Sequence, residues 1–110
     1  EIMNYHAGII RSEESLTVGL QKIEQLRNVI KQKQDERGGE ENREYYLEAS
    51  RRMLCVARLI MSPALLRKES RGGHYREDFP CADEAFALHS VQRKGAEITT
   101  APVNSNYFNF

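Results

Sequence analysis

The densest run of chemically capable side chains is Glu69-Ser70-Arg71-Gly72-Gly73-His74-Tyr75-Arg76-Glu77-Asp78. Arg71 and Arg76 are cations, Glu69, Glu77 and Asp78 are acids, and His74 titrates near neutral pH. Two kinds of chemistry fit such a set. His74 can serve as an acid/base group oriented by the Asp78 carboxylate. Alternatively, Arg71-Gly72-Gly73 is a tight turn at a helix end, and the charged side chains lock the loop through ion pairs and backbone hydrogen bonds. His74 comes with no nucleophile, so the structural reading is favoured.

Other constellations are weaker. His74, Cys81 and His89 number enough for a metal site, but their spacing matches no ligand pattern. Cys55 and Cys81 lie far apart and read as reduced thiols of a cytosolic protein, with one disulfide as the alternative. A single Arg71-Gly72-Gly73 in a neutral chain is not an RNA-binding series. No G-x-G-x-x-G follows a strand, and no Ser-His-Asp set or carboxylate pair stands out.

These side chains must be held by a small framework. The 110 residues carry sixteen Lys+Arg against sixteen Asp+Glu, for a formal net charge of +0. That balance argues against nucleic acid or an anionic membrane as partner. A content of 40% hydrophobic and 29% charged residues suits a soluble, mostly helical chain with one core. No apolar run approaches the roughly 20 residues that span a bilayer. Glu1-Ile2-Met3 already reads as the middle of a helix, with no signal peptide, so the chain is expected to be part of a longer protein.

Apolar residues at spacings of three and four predict a first helix over residues 2–10, through Ile2, Met3, Tyr5, His6, Ile9 and Ile10. Ser12 is placed to cap a second helix whose first turn holds Glu13 and Glu14. Its stripe is Leu16, Leu20, Ile23, Leu26, Val29 and Ile30. It runs into the charged stretch Lys31 to Arg37 and stops at Gly38-Gly39. A third helix is expected over about 42–61, its core face formed by Tyr46, Ala49, Met53, Val56, Ala57 and Ile60 and widened by Leu47, Leu54 and Met61. It should be the most buried of the three. Pro63 is expected to kink this helix or to restart it from Ser62. Further on, Ala85–Val91 and Ala96–Thr100 flank Arg93-Lys94-Gly95 as a possible hairpin. The tail Asn104–Phe110 has no period. The expected fold is all-α: an antiparallel, spectrin-repeat-like three-helix bundle over 1–68, then an irregular segment over 69–110 with a short β-hairpin, packed on the bundle.

The stretch Leu65-Leu66-Arg67-Lys68-Glu69-Ser70-Arg71-Gly72-Gly73-His74-Tyr75-Arg76-Glu77-Asp78-Phe79-Pro80 resembles the C-terminal region of the succinate dehydrogenase/fumarate reductase flavoprotein superfamily. Within that superfamily it is similar to the L-aspartate oxidase branch, through Gly73-His74-Tyr75-Arg76. Met3-Asn4-Tyr5-His6-Ala7-Gly8-Ile9-Ile10-Arg11 is similar to the first helix of that region. The resemblance covers about residues 1–91. It departs in the acidic stretch after Pro80, reduced here to Cys81-Ala82-Asp83-Glu84, and in a Trp absent near Phe86.

The resemblance implies an FAD enzyme that oxidises L-aspartate to iminoaspartate, in the de novo route to NAD, with oxygen or fumarate reoxidising the flavin. In that family the flavin and capping domains lie N-terminal to this region, together with the catalytic residues. No catalytic, cofactor-binding or metal residue is therefore expected here. The chain alone should be inactive, and its partners are those domains of the same cytoplasmic polypeptide, with no nucleic acid or membrane. Glu69, Arg71, His74, Arg76 and Asp78 then become candidate anchors to the helices or to the flavin domain. The competing readings are the same domain of a succinate dehydrogenase or fumarate reductase flavoprotein, a free-standing helical interaction module, and a small enzyme using His74 and Asp78.

Overall fold

The computed structural model describes residues 1–36 and 42–103. The expected stop at Gly38-Gly39 and the tail Asn104–Phe110 lie outside the described residues. Three helices come first in the framework: α1 (Ile2–His6), α2 (Glu13–Asp35) and α3 (Arg43–Leu66). Two short strands, β1 (Ile10–Arg11) and β2 (Tyr75–Arg76), pair in parallel, and β3 (Leu88–Val91) pairs antiparallel with β4 (Thr99–Pro102). The molecule is mostly helical; the β3–β4 hairpin falls in the segment where one was expected, and the parallel β1–β2 pair amends the all-α expectation. Among the described residues no helix is long and apolar enough to cross a membrane.

Helix α2 starts where its cap predicts. The Ser12 hydroxyl accepts from the Ser15 N–H at 3.2 Å, and Glu13 and Glu14 occupy the first turn. Leu16 and Ile23 are buried on its inner face. They meet Ala57, Met61 and Ala64 of α3, and Ile2, Met3, Ala7, Leu20, Leu54 and Leu65 close the cluster. Gly19 lies at the point of closest approach. A Cβ there would stand 2.6 Å from the His6 Cβ and collide with the Met61 Cε, so only glycine lets the three helices meet.

Two helical expectations need correction. The first helix ends at His6 rather than at residue 10. Ile10 and Arg11 pair instead with Tyr75 and Arg76, and the Arg11 carbonyl accepts from the Glu77 N–H at 2.9 Å. Helical periodicity cannot reveal a strand partner so distant in sequence. The third helix buries only part of the expected face, Ala57 and Met61 with Leu54 beside them. Ala57, Met61 and Ala64 point inward, whereas Met53 is 73% exposed and Tyr46, Val56 and Ile60 are exposed as well. Nor is it densely buried.

Pro63 does not restart α3, which continues through it to Leu66. Proline has no N–H to offer the carbonyl four residues back. That carbonyl, of Leu59, accepts instead from the Gln92 side-chain amide at 2.7 Å. The group freed by the proline thus tethers the segment after β3. The β3–β4 hairpin is present but displaced along the chain from the expected strands. Glu84–Phe86 forms a 3-10 turn capped by the Asp83 carboxylate, which delays the first strand to Leu88. Gly95, at φ 77°, sits in the turn.

Candidate functional site

The last turn of a helix leaves backbone carbonyls without intrahelical partners, and the negative end of the helix dipole lies there. In α3 these groups are met by Arg76 of β2, whose side chain is fully buried. Its Nη1 donates to the carbonyls of Ala64 at 3.1 Å and Leu65 at 3.0 Å. Its Nε and Nη2 donate to the two Asp78 oxygens at 2.7 and 2.6 Å, a bidentate charge-assisted pair. The Asp78 Oδ2 also accepts from the Glu13 N–H at 2.9 Å, at the positive end of α2. One ion pair therefore joins two helix ends, each charge set against the dipole that favours it. The Arg76 guanidinium also lies 5.1 Å from the Phe79 ring centroid. The Ser70 hydroxyl accepts from the Arg76 N–H and donates to the Phe79 carbonyl, both at 2.8 Å.

Glu69 is the second buried charge. Its carboxylate accepts from the Asp83 N–H at 2.9 Å, from the Arg71 Nε at 3.1 Å and from Arg67. Burial alone would raise its pKa. The Asp83 N–H and the Arg71 and Arg67 guanidiniums overcome that cost and hold it at about 2. Hydrogen bonds from the Arg76 guanidinium likewise hold the Asp78 carboxyl well below the usual range, against the cost of desolvation. Arg67 donates onward to the Phe86 and Leu88 carbonyls, tying the end of α3 to the start of β3.

His74 lies between these clusters. Its Nδ1 is 3.1 Å from the Arg11 Nη1, and its Nε2 is 3.2 Å from the Arg67 carbonyl oxygen. A guanidinium only donates and a carbonyl only accepts, so the ring is neutral, with its proton on Nε2. Burial pushes the His74 pKa down. The Arg67 carbonyl opposes that shift, and the positive charges of Arg11, Arg76 and Arg67 reinforce it. Arg71 and His74 exchange backbone hydrogen bonds at 2.8 and 3.0 Å across Gly72, whose φ is 57°. This is the tight turn that the glycines allow.

The five residues singled out in the sequence thus fall into two groups, Glu69 with Arg71 and Arg76 with Asp78, with His74 alongside. They do not form a His74–Asp78 dyad, because Asp78 is committed to Arg76 and Glu13. Arg71 sits at the rim, its side chain 39% exposed, while Arg76 occupies the centre. Sequence reasoning gave no role to Arg67, Ser70, Asp83 or Arg11. The first two lie inside the quoted motif, and Arg11 closes the helix-like segment upstream. Their types alone do not announce a partner as remote as His74 is from Arg11.

Among the described residues no three His, Cys, Asp or Glu side chains gather as metal ligands, so His74, Cys81 and His89 do not converge. A cavity of about 340 Å³ is lined by Arg67, Arg71, His74, Phe86, Leu88 and His89. Both ring nitrogens of His74 and both terminal nitrogens of Arg67 already have partners within the chain. The helix starts do not suit a flavin dinucleotide either. The N-terminus of α2 is filled by Glu13, Glu14 and the Asp78 carboxylate, which would repel a pyrophosphate, and α3 begins at Asn42 with Glu44 in its first turn. What this arrangement does chemically is to fix the ends of α2 and α3 to the segment that follows them.

A family model described as fumarate reductase flavoprotein C-term matches residues 1–110. The L-aspartate oxidase of Pyrococcus furiosus is 40% identical over 93 residues, which cover 84% of this chain and 16% of that protein. The chloroplastic L-aspartate oxidase of Arabidopsis thaliana is 40% identical over 93 residues, covering 83% of this chain and 14% of that one. An FAD-dependent oxidoreductase of Methanocaldococcus jannaschii is 42% identical over 87 residues, covering 78% and 15%. The chain spans about one sixth of the length of the relatives it matches.

Proposed function

The chain belongs to the fumarate reductase flavoprotein C-terminal family, and on that premise we propose that it is the C-terminal helical domain of an FAD-dependent L-aspartate oxidase. The observation that carries this reading is the 40% identity to L-aspartate oxidases as distant as an archaeon and a plant chloroplast. The full enzyme converts L-aspartate to iminoaspartate in the cytoplasm, as a step in NAD biosynthesis. Oxygen or fumarate takes the electrons. The flavin belongs to the larger part of the polypeptide, and the residues of this chain take no part in the redox step.

The work of this domain is packing. Residues 1–68 act as an antiparallel three-helix bundle, and 69–110 lie on it. Glu69, Arg71, His74, Arg76 and Asp78 hold that segment in place so that the domain presents a fixed surface to the flavin domain. A second reading, the same domain of a fumarate reductase or succinate dehydrogenase flavoprotein, is favoured by the family model's own description.

Purification of the full-length gene product tests both. The expected result is a bound flavin, and iminoaspartate formed from L-aspartate with oxygen or fumarate as acceptor. Succinate turnover without aspartate turnover would shift the assignment to the second reading. A full-length product that binds no flavin would overturn both.

A further inference from the structure

Large apolar side chains are left exposed along one side of α3. Tyr46, Met53 and Ile60 recur every seven residues, and Ala49, Val56 and Pro63 recur in the same register between them. With Tyr45 they form a charge-free arc along most of the helix. Tyr45, Tyr46, Met53, Val56 and Ile60 are between 45% and 73% exposed. Leu59 beside them is 47% exposed, so large apolar side chains stand uncovered along this side of the helix, as they do where a partner packs. The opposite side of α3 differs in kind. There Arg51, Cys55 and Arg58 line a groove with Arg27 and Lys31 of α2.

We infer that the Tyr46–Met53–Ile60 arc of α3 is the face that packs against the flavin domain of the same polypeptide. The inference rests on the proposed function for the existence of that domain. Three observations favour this occupant. The arc is rich in aromatic residues and Met and lacks charge, as the centre of an interface does. The relatives hold about five-sixths of their length outside the matched region. A partner tethered in the same chain also has a high effective concentration, so it outcompetes a second copy. Heptad spacing is also the pattern of a coiled coil, but the flanking positions argue against self-pairing. Ser50, Ala57 and Ala64 lie on one side and Tyr45, Arg52 and Leu59 on the other, without the complementary charges of such pairs, and Ala57 and Ala64 belong to the domain's own core.

Thiol labelling of the full-length, flavin-bound protein tests this. Met53→Cys and Ile60→Cys place probes on the arc. Native Cys55 and Arg51→Cys report on the opposite side of the helix, and Ile9→Cys reports on the exposed end of the β1 segment. Peptide mapping resolves each site. The expected result is maleimide labelling at positions 53 and 60 at least tenfold slower than at Cys55, in protein shown to be monomeric by light scattering. Equal rates at 53, 60 and 55 would overturn the inference, as would protection confined to position 9. Protection that vanishes on dilution as a dimer dissociates would also overturn it, naming a second copy as the occupant. Flavin absorbance and aspartate turnover of the same preparation read the functional proposal separately. A flavin-bound protein inactive on aspartate but protected at 53 and 60 would retain the docking face and lose the substrate.

Discussion

Arg76 and Glu69 are the two fully buried charges among the described residues, and each is surrounded by its complement. Removing one side of a buried pair costs about 3–5 kcal/mol, because the other charge is left without compensation. Arg76→Ala also strips the acceptors at the end of α3 of their donor, while Asp78 stays partly hydrated. A loss near the lower end, about 3 kcal/mol, is expected in urea unfolding. Arg76→Lys should not rescue it, since an ammonium cannot make the bidentate pair and reach the α3 carbonyls together. Arg71→Ala should cost less, because Arg71 stands at the rim. In the full-length enzyme, Arg76→Ala should lower flavin retention and melting temperature more than kcat. An intact flavin and melting temperature with lost turnover would refute the anchoring role.

Acidity acts on the same groups with one sign. The folded His74 binds its proton less readily than an ordinary histidine, so stability begins to fall as pH drops below about 6.5. Glu69 contributes fully above about pH 4.3, and its contribution is lost as pH falls toward its folded value of about 2. Melting temperature should therefore decline in two stages. His74→Gln should flatten the first stage, and Glu69→Gln should make the second shallower, leaving the part that comes from Asp78. The residue types of this motif were legible in the sequence. Which arginine is buried was not, because that depends on where β2 lies against the end of α3.

At the scale of elements, α2 was the most readable. Its cap, acidic first turn and inner residues Leu16 and Ile23 all follow from local rules. Helix α3 was legible as a helix but not in its orientation. It is apolar around so much of its circumference that periodicity cannot say which arc meets α2 and which meets something else. The choice is made by the small side chains Ala57 and Ala64, which let α3 approach closely, and by Gly19 opposite Met61. Gly19→Ala tests this. Helix propensity alone would make the substitution favourable by about 1 kcal/mol. The collision with His6 and Met61 should reverse the sign and destabilise the chain by about 1–3 kcal/mol in thermal or urea melts. Pro63 shows how a helix defect becomes a connection. Gln92→Ala should leave α3 intact, since the Leu59 carbonyl can turn to water. It should also speed amide exchange at the Val91 end of the β3–β4 hairpin, since Arg67 holds the Leu88 end. Unchanged exchange in the hairpin would mean that the tether at Leu59 does not hold it.

The whole molecule extends 53 × 35 × 19 Å with a Cα radius of gyration of 16.8 Å, against about 13 Å for a compact chain of this length. Its buried apolar side chains are few, and Leu16, Ile23 and Met61 are the large ones among the described residues. An elongated body with a thin core and one uncovered apolar arc leaves part of its stabilisation to a neighbour. The net charge of +0 adds no repulsion to keep copies apart. Produced alone, the 110-residue chain should therefore self-associate as its concentration rises, with the arc as the contact in place of the flavin domain proposed to cover it. Paired substitution of Met53→Glu and Ile60→Lys keeps the net charge at zero, and both positions are already exposed. The pair should give a monomer of unchanged helical content in sedimentation velocity and circular dichroism. Because net charge is held constant, such a monomer would have to come from loss of apolar contact on this face. Association that persists in the paired variant would place the sticky surface elsewhere, at Tyr5, Ile9 and Ile10 for example, which are also exposed. In either form the isolated chain should leave L-aspartate unoxidised, since the groups it carries are spent on holding helix ends together.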